Sequence, residues 1–137
     1  MALTEPHPMT GTLSLIDPDP TERRRLQSVL AAEADTVAVF ESIETFLAQA
    51  GALEGRCLVV SAALPEPELL ALLKVLQRRV VALPVIVLDR DTAFRTAVEI
   101  MRAGATDFIE PGFGDRRLLA AVRRFSPVKP TSAHDKL

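Results

Sequence analysis

The sequence has few of the residue types that several common functions need. It contains no tryptophan or tyrosine, which removes the side chains that most often stack on bases or sugars. Its single cysteine, Cys57, cannot form an internal disulfide, and one thiol makes a metal cluster a poor hypothesis. The net charge of -2 creates no field that attracts nucleic acid or an anionic membrane. We therefore expect no direct contact with nucleic acid or membrane, and we interpret Cys57 as a small buried hydrophobic residue.

Long hydrophobic runs are also missing. No apolar run approaches the roughly 20 residues that span a bilayer, and residues 1–10 lack the basic and apolar segments of a signal peptide. This pattern predicts a cytoplasmic protein. The chain has 137 residues, 48% of them hydrophobic, which is enough for one domain with its own core. We expect a flexible N-terminal lead-in at 1–10, a folded domain at 11–125, and a polar, proline-bearing tail or linker at 126–137.

Short apolar segments alternate with amphipathic segments along the folded region. Strands that are joined through helices are parallel, and right-handed crossovers place helices on both faces of the sheet. The pattern therefore predicts an α/β fold, a doubly wound three-layer sandwich with a (βα)5 order and a parallel five-stranded sheet. The predicted strands lie near 13–16, 36–40, 57–60, 84–88 and 106–109, and the predicted helices near 20–32, 42–51, 68–79, 91–103 and 115–125.

The third predicted helix is more apolar than one buried face requires. Leucines at helical spacing already supply an inward stripe, and Leu70 and Val75 are left over. These two side chains broaden the apolar arc. The helix is therefore either more enclosed than usual or presents an apolar face to a partner protein.

Acidic residues follow two of the predicted strands. The first strand, in TLSLIDPD at 12–19, stops at Asp17 and Asp19, and Asp89 follows the fourth strand. Carboxyl ends of parallel strands are where α/β folds build their sites. Two interpretations are open: the three acids form a metal-binding cluster of their own, or they are helix-capping, turn and solvent-exposed residues.

The (βα)5 order and the segment AVEIMRAGATDFIEPGF at 97–113 resemble the receiver domain of bacterial response regulators, in the CheY-like superfamily. The sequence is most similar in kind to FixJ/NarL-type receivers, which are attached to helix-turn-helix transcription factors. The resemblance covers about residues 11–125. It implies a flavodoxin-like strand order, 2-1-3-4-5.

The resemblance also allows the phosphorylation pocket to be matched position by position. Asp17 matches the first of the two magnesium-binding acids, and Pro18 replaces the second. Ser61 stands where the phosphoacceptor aspartate follows the third strand. Asp89 replaces the switch serine or threonine after the fourth strand, and Pro111 replaces the lysine after the fifth.

Only one of these five positions therefore keeps its family residue. Phosphoryl transfer depends on a metal and a cation to offset charge in the transition state. The substitutions predict a degenerate, or pseudo-, receiver that is not phosphorylated on aspartate. We expect no catalytic residue, no enzyme activity, no cofactor and no resident metal. The switch aromatic position keeps a ring, Phe108.

A domain of this kind would act through a protein partner or as a homodimer, with transcription as one controlled output. In the family, the usual contact surface is the edge made by the fourth helix, fifth strand and fifth helix. Interspersed charges there suit a specific, reversible interface, although a merely solvated surface explains them equally well. The candidate interface residues on this edge are Arg95, Arg102, Asp107, Arg116 and Arg123. Leu70 and Val75, on the third helix, are candidate interface residues as well.

Two further hypotheses compete with this one. The altered pocket at Asp17, Ser61 and Asp89 is also compatible with a ligand- or metal-binding sensor. The second of these hypotheses is a residual phosphotransfer activity. Ser61 itself is either a small polar filler or a serine phosphorylation site, and nothing nearby in the sequence would serve as its activating base.

Overall fold

Strands and helices alternate along the chain, as predicted. The structure, a computed structural model, describes residues 11–79, 83–89, 94–110 and 114–125, without the side chains of 94–96 and 114. Its elements are β1 (Leu13–Ile16), α1 (Pro20–Leu30), β2 (Val37–Phe40), α2 (Ile43–Ala48), a 3-10 turn (Ala52–Glu54), β3 (Cys57–Ser61), α3 (Glu66–Gln77), β4 (Val85–Leu88), α4 (Phe94–Arg102), β5 (Asp107–Ile109) and α5 (Gly114–Arg123).

The five strands form one sheet in the order β2-β1-β3-β4-β5, and every pairing is parallel. The predicted fold class and strand order are therefore confirmed. The order changes direction at β1, so the carboxyl ends of β1 and β3 flank the point where α/β folds place their sites.

Two apolar layers hold the helices against the sheet. Alternate side chains of each strand point to opposite faces. On one face, Leu13, Leu15 and Val59 pack against residues of α1 and α5. On the other, Ile16 and Val60 pack against α2, α3 and α4. This two-sided burial explains why the central strands are continuous apolar runs.

Several helix boundaries differ from the predictions by one to three residues. Helix α3 begins at Glu66, two residues early, because Pro65 and Pro67 fall at its start, where a missing N–H costs nothing. Helix α2 ends at Ala48, and a 3-10 turn follows Gly51, whose φ of 78° is in the left-handed region. Helix α5 begins at Gly114, so Asp115 lies in its first turn.

Two predicted helix starts have the expected caps. The Asp19 carboxylate accepts hydrogen bonds from the backbone N–H groups of Thr21 at 3.0 Å and Glu22 at 3.5 Å. Ser42 and Thr45 form a capping box, in which Ser42 Oγ accepts from Thr45 N at 3.1 Å. The predicted start of α4, at 91–93, lies outside the described residues, as do the predicted lead-in at 1–10 and tail at 126–137.

Arg56 joins the ends of two helices at the amino edge of the sheet. Its guanidinium donates to the carbonyl oxygens of Glu33 at 2.6 Å, Phe125 at 3.2 Å and Val122 at 3.5 Å. The last carbonyl groups of a helix have no partner within the helix, so a cation is well placed there. Arg56 therefore ties the C-terminal ends of α1 and α5 to the start of β3.

Candidate functional site

Three buried polar residues lie at the carboxyl edge of the sheet. Asp17 directly follows β1, Ser61 is the last residue of β3, and Asp89 directly follows β4. Ile16 pairs with Val60 and Ser61 pairs with Leu88, so the three residues occupy neighbouring strand ends. The exposed fractions are 0% for Asp17, 1% for Ser61 and 6% for Asp89. The structure thus brings together the pocket residues that the sequence placed on β1, β3 and β4.

Asp17 is held at the start of the loop that leads to α1. One of its carboxylate oxygens accepts a hydrogen bond from the backbone N–H of Asp19 at 2.9 Å. Its own backbone N–H donates to the carbonyl of Phe40 at 3.0 Å and so extends the pairing with β2. Pro18 is exposed. The side chain next to Asp17 in sequence therefore supplies no carboxylate to this edge.

Ser61 forms a local turn at the end of β3. Its hydroxyl oxygen accepts a hydrogen bond from the backbone N–H of Ala63 at 3.0 Å, and its carbonyl accepts one from Leu64 N at 3.2 Å. This arrangement suits a serine that stabilises the strand-to-helix turn. The partner of the hydroxyl oxygen is a hydrogen-bond donor, which is the opposite of a base that would remove its proton.

Asp89 brings a second buried carboxylate to the same edge. Its backbone N–H donates to the carbonyl of Ile109 at 2.8 Å, which fixes the strand end against β5. Across the described residues, no group of three or more histidine, cysteine, aspartate and glutamate side chains could hold a metal ion. Asp17, Asp19 and Asp89 are not such a group in this structure, and the metal-binding alternative stays a hypothesis.

One cation lies closer to this edge than the sequence suggested. Arg23, on α1, donates from its guanidinium to the backbone carbonyl of Asp17 at 2.7 Å. The arginines of this helix look like solvent-exposed helix residues in the sequence. The only sequence feature that points to Arg23 is its position one helical turn beyond the cap at Asp19, where its side chain can fold back over the strand end.

Of the two remaining predicted positions, Pro111 and Phe108, the structure describes only Phe108. Pro111 lies outside the described residues. Phe108, on β5, is partly buried and packs against the core layer on the α2–α3–α4 side of the sheet. Its backbone N–H is capped by the carboxylate of Asp107 at 2.8 Å.

The residues of the predicted contact surface have different surroundings. Arg102 and Arg116 are exposed. Arg123 instead donates to the carboxylate of Glu33 on α1 at 2.7 Å. The carboxylate of Asp107 forms an ion pair with the guanidinium of Arg124, at an N–O distance of 3.5 Å. The side chain of Arg95 is among those that the structure does not describe.

The two surplus apolar residues of α3 have different surroundings. Leu70 is partly buried and packs against the core layer on the α2–α3–α4 side of the sheet. Val75 is largely exposed. Leu70 is therefore enclosed, whereas Val75 is left as exposed apolar surface, and a partner for that surface stays a prediction.

An apolar residue was missed on the α4 side of the predicted contact surface. Met101 is 42% exposed and lies beside Ala97 and Val98 in a shallow depression. Its neighbour Ile100 is the residue of α4 that is buried.

The five-stranded parallel order and the polar residues buried at its carboxyl edge define a class of protein, the receiver domains of two-component signalling. A model of the response regulator receiver domain family matches residues 13–123. The chain belongs to this family.

Individual relatives agree with this assignment. The transcriptional regulatory protein FixJ of Rhizobium meliloti (strain 1021) is 32% identical over 115 residues, which cover 84% of this chain and 56% of that protein. The crystal structure of a response regulator receiver protein from Pseudoalteromonas atlantica is 30% identical, with a TM-score of 0.72 over 83% of this chain and 95% of that chain.

A third comparison concerns the fold alone. The solution structure of the beryllofluoride-activated NtrC4 receiver domain dimer is 17% identical, with a TM-score of 0.73 over 85% of this chain and 97% of that chain. The chain spans between 54% and 62% of the length of the four curated relatives that it matches. Within the described residues, no helix is long and apolar enough to cross a membrane.

Proposed function

We propose that this receiver domain signals without aspartyl phosphorylation. The observation that carries the proposal is Ser61, a buried hydroxyl at the end of β3, where the resemblance places the phosphoacceptor carboxylate. A serine has no negative charge with which to attract Mg²⁺. Its oxygen already accepts a hydrogen bond from Ala63 N, and a backbone N–H cannot act as the general base that a serine nucleophile needs.

The charges at the carboxyl edge support the same proposal. Asp89 is a buried carboxylate at the position that normally offers a hydroxyl to the phosphoryl group. A phosphoryl group carries negative charge, so a carboxylate beside it is unfavourable unless cations compensate. The sequence has proline at position 111, where the family has lysine. Arg23 is engaged with the Asp17 carbonyl and acts on the strand end rather than as a replacement for that lysine.

The output of such a domain would be a protein contact. FixJ is a transcriptional regulatory protein, and the NtrC4 receiver domain forms a dimer. By analogy, this chain would bind a protein partner or a second copy of itself in the cytoplasm and would control transcription through that contact. It would act as a regulator rather than as an enzyme.

The proposal is tested by asking whether the pocket accepts the phosphoryl mimic beryllofluoride. In ¹H–¹⁵N spectra of the whole chain, Mg²⁺ and beryllofluoride together should leave the backbone amides of Asp17, Ser61 and Asp89 unmoved. The FixJ receiver, run in parallel, is the control that shows the reagents are active. Saturable shifts at these three amides would contradict the proposal.

A further inference from the structure

A groove runs between α2 and α3 on the face of the domain away from α1 and α5. It has a volume of about 460 Å³ and is lined by Ser42, Ile43, Glu44, Leu47, Glu68, Ala71, Leu72 and Val75. The small side chain of Ala71 lets the groove form between the larger apolar residues. The strand-end pocket and the groove are separate, because the groove includes none of Asp17, Ser61 and Asp89.

The apolar part of the groove is open to solvent. Leu47 is 46% exposed and Val75 is 47% exposed, and they are two of the three large apolar residues that are exposed in the described part of the chain. Leu47 comes from α2 and Val75 from α3, so the two walls of one groove expose apolar surface toward each other. Exposed apolar surface of this kind marks an interaction site more often than an isolated exposed leucine does.

The charged part of the groove has one sign. Glu44 lies in the first turn of α2 and Glu68 in the first turn of α3, and both side chains are exposed. None of the described residues that line the groove is basic. The acidic pair lies at the end of the groove nearer the carboxyl edge of the sheet, and Leu47 and Val75 lie further along their helices. Apolar contacts at one end and negative charge at the other define what can bind.

We propose that the α2–α3 groove binds an amphipathic helix of a partner protein that carries basic residues in its last turn. Apolar side chains spaced three and four residues apart would pack between Leu47 and Val75, as in other complexes where a helix occupies a groove. Lysine or arginine one turn further on would reach Glu44 and Glu68. Basic residues also stabilise the C-terminus of a helix, so this orientation favours the partner helix itself.

This inference rests on the proposed function only in that both assign the output to a protein contact. The groove is built from helix surfaces, so its binding does not depend on whether the pocket is phosphorylated. A phosphorylated chain that still bound the helix would overturn the proposed function alone, and an unphosphorylated chain that did not bind it would overturn the inference alone.

The test uses a designed helical peptide of about four turns, with leucines spaced three and four apart and two lysines in its last turn. A matched peptide carries glutamates in place of the lysines. Titrated into the ¹⁵N-labelled whole chain, the lysine peptide should shift amides of α2 and α3 and bind more tightly than the glutamate peptide. Equal binding of the two peptides, no binding, or shifts confined to other elements would overturn the proposal.

Two kinds of variant locate the contact. Leu47→Ser and Val75→Ser change exposed side chains, and each should weaken the affinity for the lysine peptide by about tenfold. The double variant Glu44→Lys with Glu68→Lys should reverse the preference and select the glutamate peptide. Met101→Ser, on the other exposed apolar patch, is the matched control and should leave the affinity unchanged.

A second copy of the chain is the competing occupant of the groove. Sedimentation of the native protein and of Val75→Ser decides between them. The proposal expects the same oligomeric state for both proteins. A native dimer that Val75→Ser converts to a monomer would overturn the proposal, because it would place the second copy in the groove.

Discussion

At the amino edge of the sheet, Arg56 supplies one cation to three backbone carbonyl oxygens at or just beyond the ends of α1 and α5. At the carboxyl edge, two carboxylates, Asp17 and Asp89, are buried beside one hydroxyl. At the amino edge, the positive charge of Arg56 is matched by carbonyl oxygens. The carboxyl edge collects groups of like charge. Like charges buried together cost stability unless hydrogen bonds or a cation compensate them. The two edges therefore differ in what their polar groups do: Arg56 holds chain ends together at the amino edge, whereas the acids at the carboxyl edge belong to the candidate pocket.

Ion pairs also join the two helices that cover one face of the sheet, α1 and α5. Arg25 of α1 donates to both carboxylate oxygens of Asp115 on α5, at 3.1 and 2.9 Å. Hydrogen bonds to Glu22, and then the contact with Asp115, raise the pKa of Arg25 above its usual value. With the Glu33–Arg123 pair, α1 and α5 are joined at both ends. Ion pairs thus link α1 to α5, whereas an open groove separates α2 from α3.

The largest expected effect is the protection of Cys57 from chemical labelling. Cys57 follows Arg56 and is buried at the amino edge, so its labelling rate reports whether that edge is closed. Burial raises the pKa of its thiol to about 12, although the neighbouring Arg56 charge acts to lower it. Only the thiolate reacts, so at mildly alkaline pH a disulfide reagent should label the native protein about a thousandfold more slowly than the unfolded chain. Labelling in urea is the control. Similar rates in both states would show that the amino edge is open.

Arg56→Ala should lower the free energy of unfolding by about 2–3 kcal/mol, because it removes a charged donor from the ends of two helices at once. Urea denaturation followed by circular dichroism measures the change. Arg24→Ala, an exposed arginine of α1, is the matched control and should change stability by less than about 0.5 kcal/mol. Equal effects of the two variants would mean that the carbonyl contacts of Arg56 contribute nothing to stability.

Ser61→Asp adds a third buried carboxylate to the carboxyl edge and should cost about 2 kcal/mol at neutral pH. Ser61→Asn, which has the same shape and no charge, is its control. Burial would favour the protonated form of the new acid, so the deficit relative to Ser61→Asn should shrink as the pH falls. A deficit that is independent of pH would show that shape, and not charge, limits this position.

The Arg25–Asp115 pair should contribute least, about 0.5 kcal/mol, because both side chains are largely exposed and salt screens them. A double-mutant cycle with Arg25→Ala and Asp115→Ala isolates the coupling energy, which should fall at high ionic strength. A coupling energy above about 2 kcal/mol would contradict this prediction, because the exposed ion pair would then contribute as much as the carbonyl contacts of Arg56.

The sequence predicts the fold and most of the pocket because both follow from short-range rules. Apolar runs, turns and helix periods set the alternation, and a strand end in the sequence becomes a strand end in the sheet. For this reason Asp17 and Asp89 could be placed at strand ends from the chain alone, whereas Ser61 and the strand order came from the resemblance to receiver domains. The cap at Asp19 is predictable in the same way, since its partners are two and three residues away.

The contacts that the sequence does not predict come from long side chains that reach backbone carbonyls. Arg23 bonds to the carbonyl of Asp17, and Arg56 bonds to carbonyls that lie 23 and 69 residues away. Such contacts leave no periodic pattern in the sequence, and because their partners are backbone carbonyl groups, no particular residue type marks the partner. The α2–α3 groove was not predicted: the sequence indicated only a broad apolar arc on α3 that includes Val75, and Leu47 becomes part of a groove only when α3 is placed beside α2.

The most direct test of a phosphorylation-independent receiver is intact mass after incubation with Mg²⁺ and a small phosphodonor. The native chain should gain no phosphoryl group. A variant with Pro18→Asp, Ser61→Asp, Asp89→Thr and Pro111→Lys, which restores the family residues on the same scaffold, is the positive control and should gain one. A gain on the native chain that Ser61→Ala abolishes would contradict the proposed function.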